Sequence, residues 1–220
     1  MFLNDTGGLE ELPSEITNWV TLISDPVVMK DNLAISCALD YDRQGGSPAK
    51  AQTEIGKLRS VAKPYGGQQA TRDTELAASK LSKCCVEFLK QLTCYESADC
   101  VVAMPPSDPS KTYNLPRYLA ENIAAEWGRD NLTPHVRTIK PRGSIKGIAL
   151  ANKFDTLSGT IEVDCDIFNG KRVLLVDDLY QSGISMNYCA LLLLQAGASK
   201  VFGLACEKTC RNDDNVTGKR

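Results

Sequence analysis

Val173-Leu174-Leu175-Val176-Asp177-Asp178-Leu179-Tyr180-Gln181-Ser182-Gly183-Ile184-Ser185 is the stretch that decides how this chain folds. Four consecutive apolar residues, two of them β-branched, read as a strand buried on both faces, the situation of a central strand in a parallel sheet. The strand is expected to end on the two adjacent carboxylates. A short hydroxyl-rich loop with one glycine follows. An apolar helix then runs over about 185–195, with Gly197 just beyond it, where a left-handed cap forms most easily. A loop that feeds a helix N-terminus offers free backbone N–H groups and the positive end of the helix dipole, so it favours an anion. Ser182 and Ser185 add hydroxyl donors, and Gly183 lets the backbone approach closely. Asp177 and Asp178 cannot serve that anion, because carboxylates only accept hydrogen bonds. They need hydroxyls or a metal. A ligand with a phosphate at one end and vicinal hydroxyls nearby meets both demands, and ribose 5-phosphate has that form.

Rival acid-pair motifs fit less well. A Walker B strand needs a Gly-x-x-x-x-Gly-Lys-Ser/Thr loop earlier in the chain, and the sequence has none. A receiver-type acid pocket would carry its acids near the start of the chain. An ordinary buried strand and turn would leave two acids at a buried strand end without compensation, which is costly.

Working outward, 220 residues suffice for one α/β domain with a sizeable core. Hydrophobic content of 43% and charged content of 24% are those of a soluble protein. A net charge of −2 and a pI near 5.6 argue against a general nucleic-acid binder. No stretch is long and apolar enough to span a membrane, and Met1-Phe2-Leu3-Asn4-Asp5 lacks the basic region of a signal peptide. The expectation is a cytoplasmic protein. The nine cysteines contain no Cys-x-x-Cys pair, and His135 is the single histidine, so neither structural zinc nor any other protein-held metal is expected. Cys189 in a helical run and Cys206 at a strand end read as small hydrophobes. His135, beside Pro134, reads as a surface or packing residue rather than a catalytic base.

Residues 9–24 read as an amphipathic helix with Pro13 in its first turn. Further helices are expected at about 50–63, 73–92 and 116–127, the last with Pro116 in its first turn. Strands are expected at 33–39, 98–104, 136–139 and 200–205, with an irregular excursion over 141–160. The alternation predicts βαβ units and a mostly parallel twisted sheet flanked by helices. Three parts are expected: an N-terminal helical extension (1–30), the α/β domain (31–208) and a polar tail (209–220).

Ligands bind such sheets at the carboxyl ends of the strands, so the loop after Met104 should share a crevice with the loop after Asp178. In it Ser107, Ser110 and Lys111 are candidates for phosphate oxygens, and its prolines stiffen it. Arg137, Lys140, Arg142, Lys146 and Lys153 form a run with no acid between Asp130 and Asp155. Such a run suits pyrophosphate on a mobile hood, with Arg142 the candidate contact, or else a solvated basic face.

The 173–185 block resembles the phosphoribosyl-pyrophosphate (PRPP) signature of type I phosphoribosyltransferases: four apolar residues, two acids, three variable residues, then Thr-Gly-x-Thr. Ser182 and Ser185 replace both threonines and keep the hydroxyls. The resemblance implies that Asp177 and Asp178 hold the ribose hydroxyls while Gln181, Ser182, Gly183, Ile184 and Ser185 hold the 5′-phosphate. Lys111-Thr112-Tyr113-Asn114 is similar to the Arg-Gly-Phe-Asn of the pyrophosphate loop in ComF-type competence proteins, with threonine in place of glycine. Ala38-Leu39-Asp40-Tyr41 and Ala62-Lys63-Pro64-Tyr65 are similar to the opening strand and Lys-Tyr segment of that family. The similarity covers most of 35–206. The zinc module with which those proteins often begin has no counterpart in the sequence.

What the resemblance implies is a type I phosphoribosyltransferase-like fold with a small hood, and a pentosyl-transfer enzyme. PRPP would bind with Mg²⁺, and a nitrogen base would displace pyrophosphate at the ribose C1. Asp177, Asp178 and Lys111 would carry the chemistry, the acids on the ribose and the lysine on the leaving group. Two alternatives stay open: a non-catalytic PRPP or nucleotide sensor, and a ComF-like accessory in DNA processing. Any nucleic-acid contact would have to use the 137–153 run, and the reading leaves oligomerisation open.

Overall fold

Thr53 accepts the Gly56 N–H with its side chain and so starts a helix at Glu54, four residues beyond the end of a turn at Lys50. That helix, α1 (Glu54–Ala62), is shorter than the expected 50–63 because this cap is local and strong. The computed structural model describes residues 27–64, 69–110, 112–142 and 150–210. The expected 9–24 helix, Tyr65, Lys111 and Lys146 lie outside them. The other helices are α2 (Arg72–Gln91), α3 (Leu115–Trp127), α4 (Leu150–Leu157) and α5 (Ile184–Gln195). Helix α2 opens on a reciprocal capping box between Thr71 and Thr74. Helix α3 opens on Asn114, whose Oδ1 accepts the Arg117 N–H, and closes on left-handed Gly128. Gly197, at φ +96°, occupies the left-handed region expected beyond α5.

The strands are β1 (Val27–Val28), β2 (Ser36–Tyr41), β3 (Cys100–Ala103), β4 (Asp130–Asn131), β5 (Val136–Thr138), β6 (Ile161–Val163), β7 (Arg172–Tyr180) and β8 (Lys200–Lys208). Six of them make one sheet in the order β1-β2-β8-β7-β3-β4, parallel throughout except for antiparallel β1. The molecule is therefore α/β, with a mostly parallel sheet flanked by helices. Val173 and Leu175 of β7 face Met186, Cys189 and Leu193 of α5. Leu174 and Val176 face Leu81, Leu89, Leu119 and Ile123 of α2 and α3. Each such fully buried aliphatic side chain contributes about 1.5–3 kcal/mol, and this double burial is why residues 173–176 are all apolar.

Four expectations about the elements are corrected. A short strand, β1, precedes the first strand expected at 33–39 and pairs with β2, Val27 lying opposite Ala38. Strand β5 lies outside the main sheet, in an antiparallel ribbon with β6. The supposedly irregular 141–160 contains α4, which packs on α5 through the edge-to-face rings of Phe154 and Tyr188. Finally, the strand expected at 200–205 runs on as β8 through Glu207 and Lys208, and Glu207 is buried. Among the described residues no helix is long and apolar enough to cross a membrane.

Candidate functional site

Strand β7 does not stop at the acid pair but pairs with β8 as far as Tyr180, opposite Lys208. The consequence is chemical. Successive side chains of a strand point to opposite faces, so two adjacent carboxylates part company. Asp178 turns to the α1 side, where Lys63 Nζ lies 2.9 and 2.7 Å from its two oxygens and Arg59 Nε 3.0 Å from Oδ2. Arg59 also reaches Glu207 Oε1 at 3.3 Å. Both acids border the crevice, and Asp177 Oδ1 accepts the Asp178 N–H at 2.8 Å. The expected joint ribose clamp is thus two groups in different surroundings. Asp178 is held by cations and borders only the larger of two cavities, whereas Asp177 borders both.

Arg59, Lys63 and Glu207 were not legible as site residues. The i, i+4 spacing of the two cations along α1 signals only a shared helix side. Their convergence on Asp178 depends on Gly56, where an added Cβ would stand 2.7 Å from the Asp42 carbonyl. A larger residue there would push α1 off the end of β2.

Electrostatics follows this partition. Burial alone would raise the Asp178 carboxyl, but Lys63 and then Arg59 hold it below its ordinary value. Burial, and next the Asp178 charge, push Asp177 up to about 7. The negative charge of the pair therefore settles on the member with the cations. Glu207 is likewise pushed up to about 7, by burial first, against the opposing pull of Arg59 and with Asp42 and Asp178 adding to it. A carboxyl whose pKa is raised on folding stabilises the fold at pH below its unfolded value and loses that contribution as pH climbs through the folded one. The denaturant midpoint should accordingly fall between about pH 5 and 8, and Glu207→Gln should flatten that fall. A parent midpoint that rises over this range, or a slope unaltered by the substitution, contradicts the assignment.

Two adjoining cavities meet at Asp177, Leu179 and Ser185. The smaller, 130 Å³, is lined by Gln181, Ser182 and Gly183, the expected phosphate loop. Gly183 is the α5 N-cap at φ +72°, and any Cβ on it would run into the Tyr180 hydroxyl, so both conformation and space require glycine. Ile184 does not line this cavity but faces a cleft on the other side of the loop, between α5 and residues 28–36.

The larger cavity, 270 Å³, is lined by Lys63, Ser107, Asn114, Arg142, Asp177 and Ser185, among others. Its loop is held at several points. Arg142 Nη2 donates to the Pro105 carbonyl and its backbone N–H to Ser107 O, both at 2.7 Å. Thr138 Oγ1 donates to Pro106 O at 2.5 Å, and the Tyr113 hydroxyl donates to Ala62 O of α1 at 2.9 Å. Arg142 Nε is buried with no partner among the described residues. Ser110, an expected phosphate ligand, is turned onto Asp108 Oδ1 through both its N–H and hydroxyl, and lines neither cavity.

The basic run does not act as a unit. Arg137 is neutralised across the ribbon by Glu162 and Asp164, each at 2.6 Å. Lys153 is buried, Lys140 is exposed, and Arg142 alone of the described members lines the cavity. His135 lies against Asp164 at 2.9 Å, in the ribbon. None of the nine cysteines is in a disulfide. Among the described residues no group of three or more His, Cys, Asp or Glu could hold a metal ion. No protein-family model matches this chain, and no curated protein matches it.

Proposed function

We propose that the protein is type I phosphoribosyltransferase-like, binds PRPP in the paired cavities, and transfers its ribose 5-phosphate to a nitrogen base with release of pyrophosphate. The carrying observation is that the cavity at a glycine-hinged, hydroxyl-bearing helix start and the cavity at a loop braced by an arginine meet at one carboxylate, Asp177. The two ends would take phosphate groups through N–H and hydroxyl donors, and Asp177 between them would accept from ribose hydroxyls. Lys63 and Arg142 would stabilise the charge that grows on the leaving pyrophosphate. Asp177 is a hard oxygen donor of the kind magnesium prefers, but one carboxylate is too few for a resident site, so the ion is expected to arrive on PRPP. Once bound it would neutralise the pyrophosphate oxygens.

A non-catalytic PRPP sensor is favoured by one observation: Asp178 is already engaged by Lys63 and Arg59, which leaves Asp177 as the acid less committed to cations before a ligand binds. The DNA-processing alternative loses support, since Arg137 is paired and Lys153 buried.

PRPP with Mg²⁺ is expected to bind by calorimetry and to raise the melting temperature, because the site exists only in the folded chain. Absence of binding at about millimolar PRPP sinks both the enzyme and the sensor. Pyrophosphate release with a panel of bases then separates them.

A further inference from the structure

We propose that Lys63 is the specificity-determining cation of this site: it passes from Asp178 to the diphosphate group of the ligand, while Arg59 remains as the permanent counter-ion of Asp178. The proposal rests on reading the 270 Å³ cavity as the diphosphate end.

The two cations on Asp178 differ in kind. Arg59 has a side chain 8% exposed, lies within α1 and is tied to Glu207 as well. Lys63 is 37% exposed, caps the end of α1 and precedes Pro64, which keeps it out of the helical conformation. Its ammonium rides on a flexible four-carbon stem with rotatable donors, whereas the guanidinium of Arg59 is a rigid fork. Lys63 also borders the cavity that holds Ser107, Asn114 and Arg142. A multiply charged diphosphate there would outcompete a carboxylate already neutralised by Arg59, since the attraction scales with charge. The move strands no buried charge, because Asp178 keeps Arg59 at 3.0 Å.

The hand-over links the two ends of the ligand. As Lys63 leaves, the lone pairs it occupied on Asp178 become acceptors for a hydroxyl. A ligand with both a diphosphate and vicinal hydroxyls gains from both changes. Ribose 5-phosphate, lacking the diphosphate, leaves Lys63 on Asp178. Inorganic pyrophosphate draws Lys63 away but offers nothing to the acid.

The test titrates inorganic pyrophosphate, PRPP and ribose 5-phosphate, each with Mg²⁺, into the parent, Lys63→Gln and Lys63→Arg. Lys63→Gln should lose about tenfold or more in affinity for pyrophosphate and PRPP, the worth of one charge-assisted hydrogen bond. Ribose 5-phosphate should change by less than about threefold, and Lys63→Arg should stay within about threefold of the parent for all three. In the parent itself, pyrophosphate should change the acylation rate of Lys63 as read by peptide mass spectrometry, a measurement that needs no variant. The proposal is overturned if the parent binds no pyrophosphate, if Lys63→Gln binds it as tightly as the parent, or if both sugar ligands weaken equally. If pyrophosphate binding depends on Lys63 but neither sugar phosphate binds, the cation stands and the phosphoribosyl reading falls.

Discussion

Arg59→Met is expected to destabilise the protein by about 3–5 kcal/mol, the usual consequence of removing one partner from a buried ion network. Arg59 stands between Asp178 and Glu207, both almost wholly buried, and the guanidinium is the counter-ion they share. Methionine fills much of the same volume, so the loss reads charge rather than packing. Lys63 would still face Asp178, leaving Glu207 as the more exposed casualty. Urea unfolding measures the loss, and adding Glu207→Gln to Arg59→Met should recover part of it through a non-additive coupling. Equal midpoints for the parent and Arg59→Met would mean that this network does not hold α1 against the ends of β7 and β8.

Asp177→Asn and Asp178→Asn should differ most in stability. Asp177→Asn should weaken PRPP by about a hundredfold, because a carboxylate accepting from two hydroxyls makes charge-assisted bonds that an amide cannot match. The melting temperature at about pH 8 should stay level or rise, since burial already opposes the ionised form of Asp177. Asp178→Asn should instead cost about 3–5 kcal/mol of stability by leaving Arg59 and Lys63 facing a neutral amide. The paired measurement is calorimetric titration alongside thermal unfolding. If the two variants match in both readouts, the face alternation of β7 is not what separates their roles.

The apolar run 173–176 sufficed to identify a central strand, because burial on both faces leaves no polar position for any other pattern to imitate. The same local logic located the tight, hydroxyl-bearing loop at the start of α5: Gly183 adopts a positive φ and Ser182 and Ser185 flank it within four residues. The basic run misled for a matching reason. Arg137 is opposed by Glu162 and Asp164, which follow it by 25 and more positions and meet it only through the β5–β6 ribbon. Charge spacing along a chain carries no information about acids that return from so far away. Ser110 misled on a smaller scale, since Asp108, two residues earlier, captures its hydroxyl.

What the sequence determined by itself is whatever short-range chemistry enforces: the buried strand, the glycine at the α5 start, and the alternation of strands with helices. Only the tertiary structure decided what each acid does. Asp177 and Asp178 are neighbours with identical side chains, yet one borders both cavities and the other, which borders only the larger, is clasped by cations from 115 and 119 residues earlier in the chain. That difference arises because strand β7 continues past the pair, so the pleat sends them to opposite faces, and because Gly56 lets α1 approach closely enough to bring Arg59 and Lys63 to just one of them.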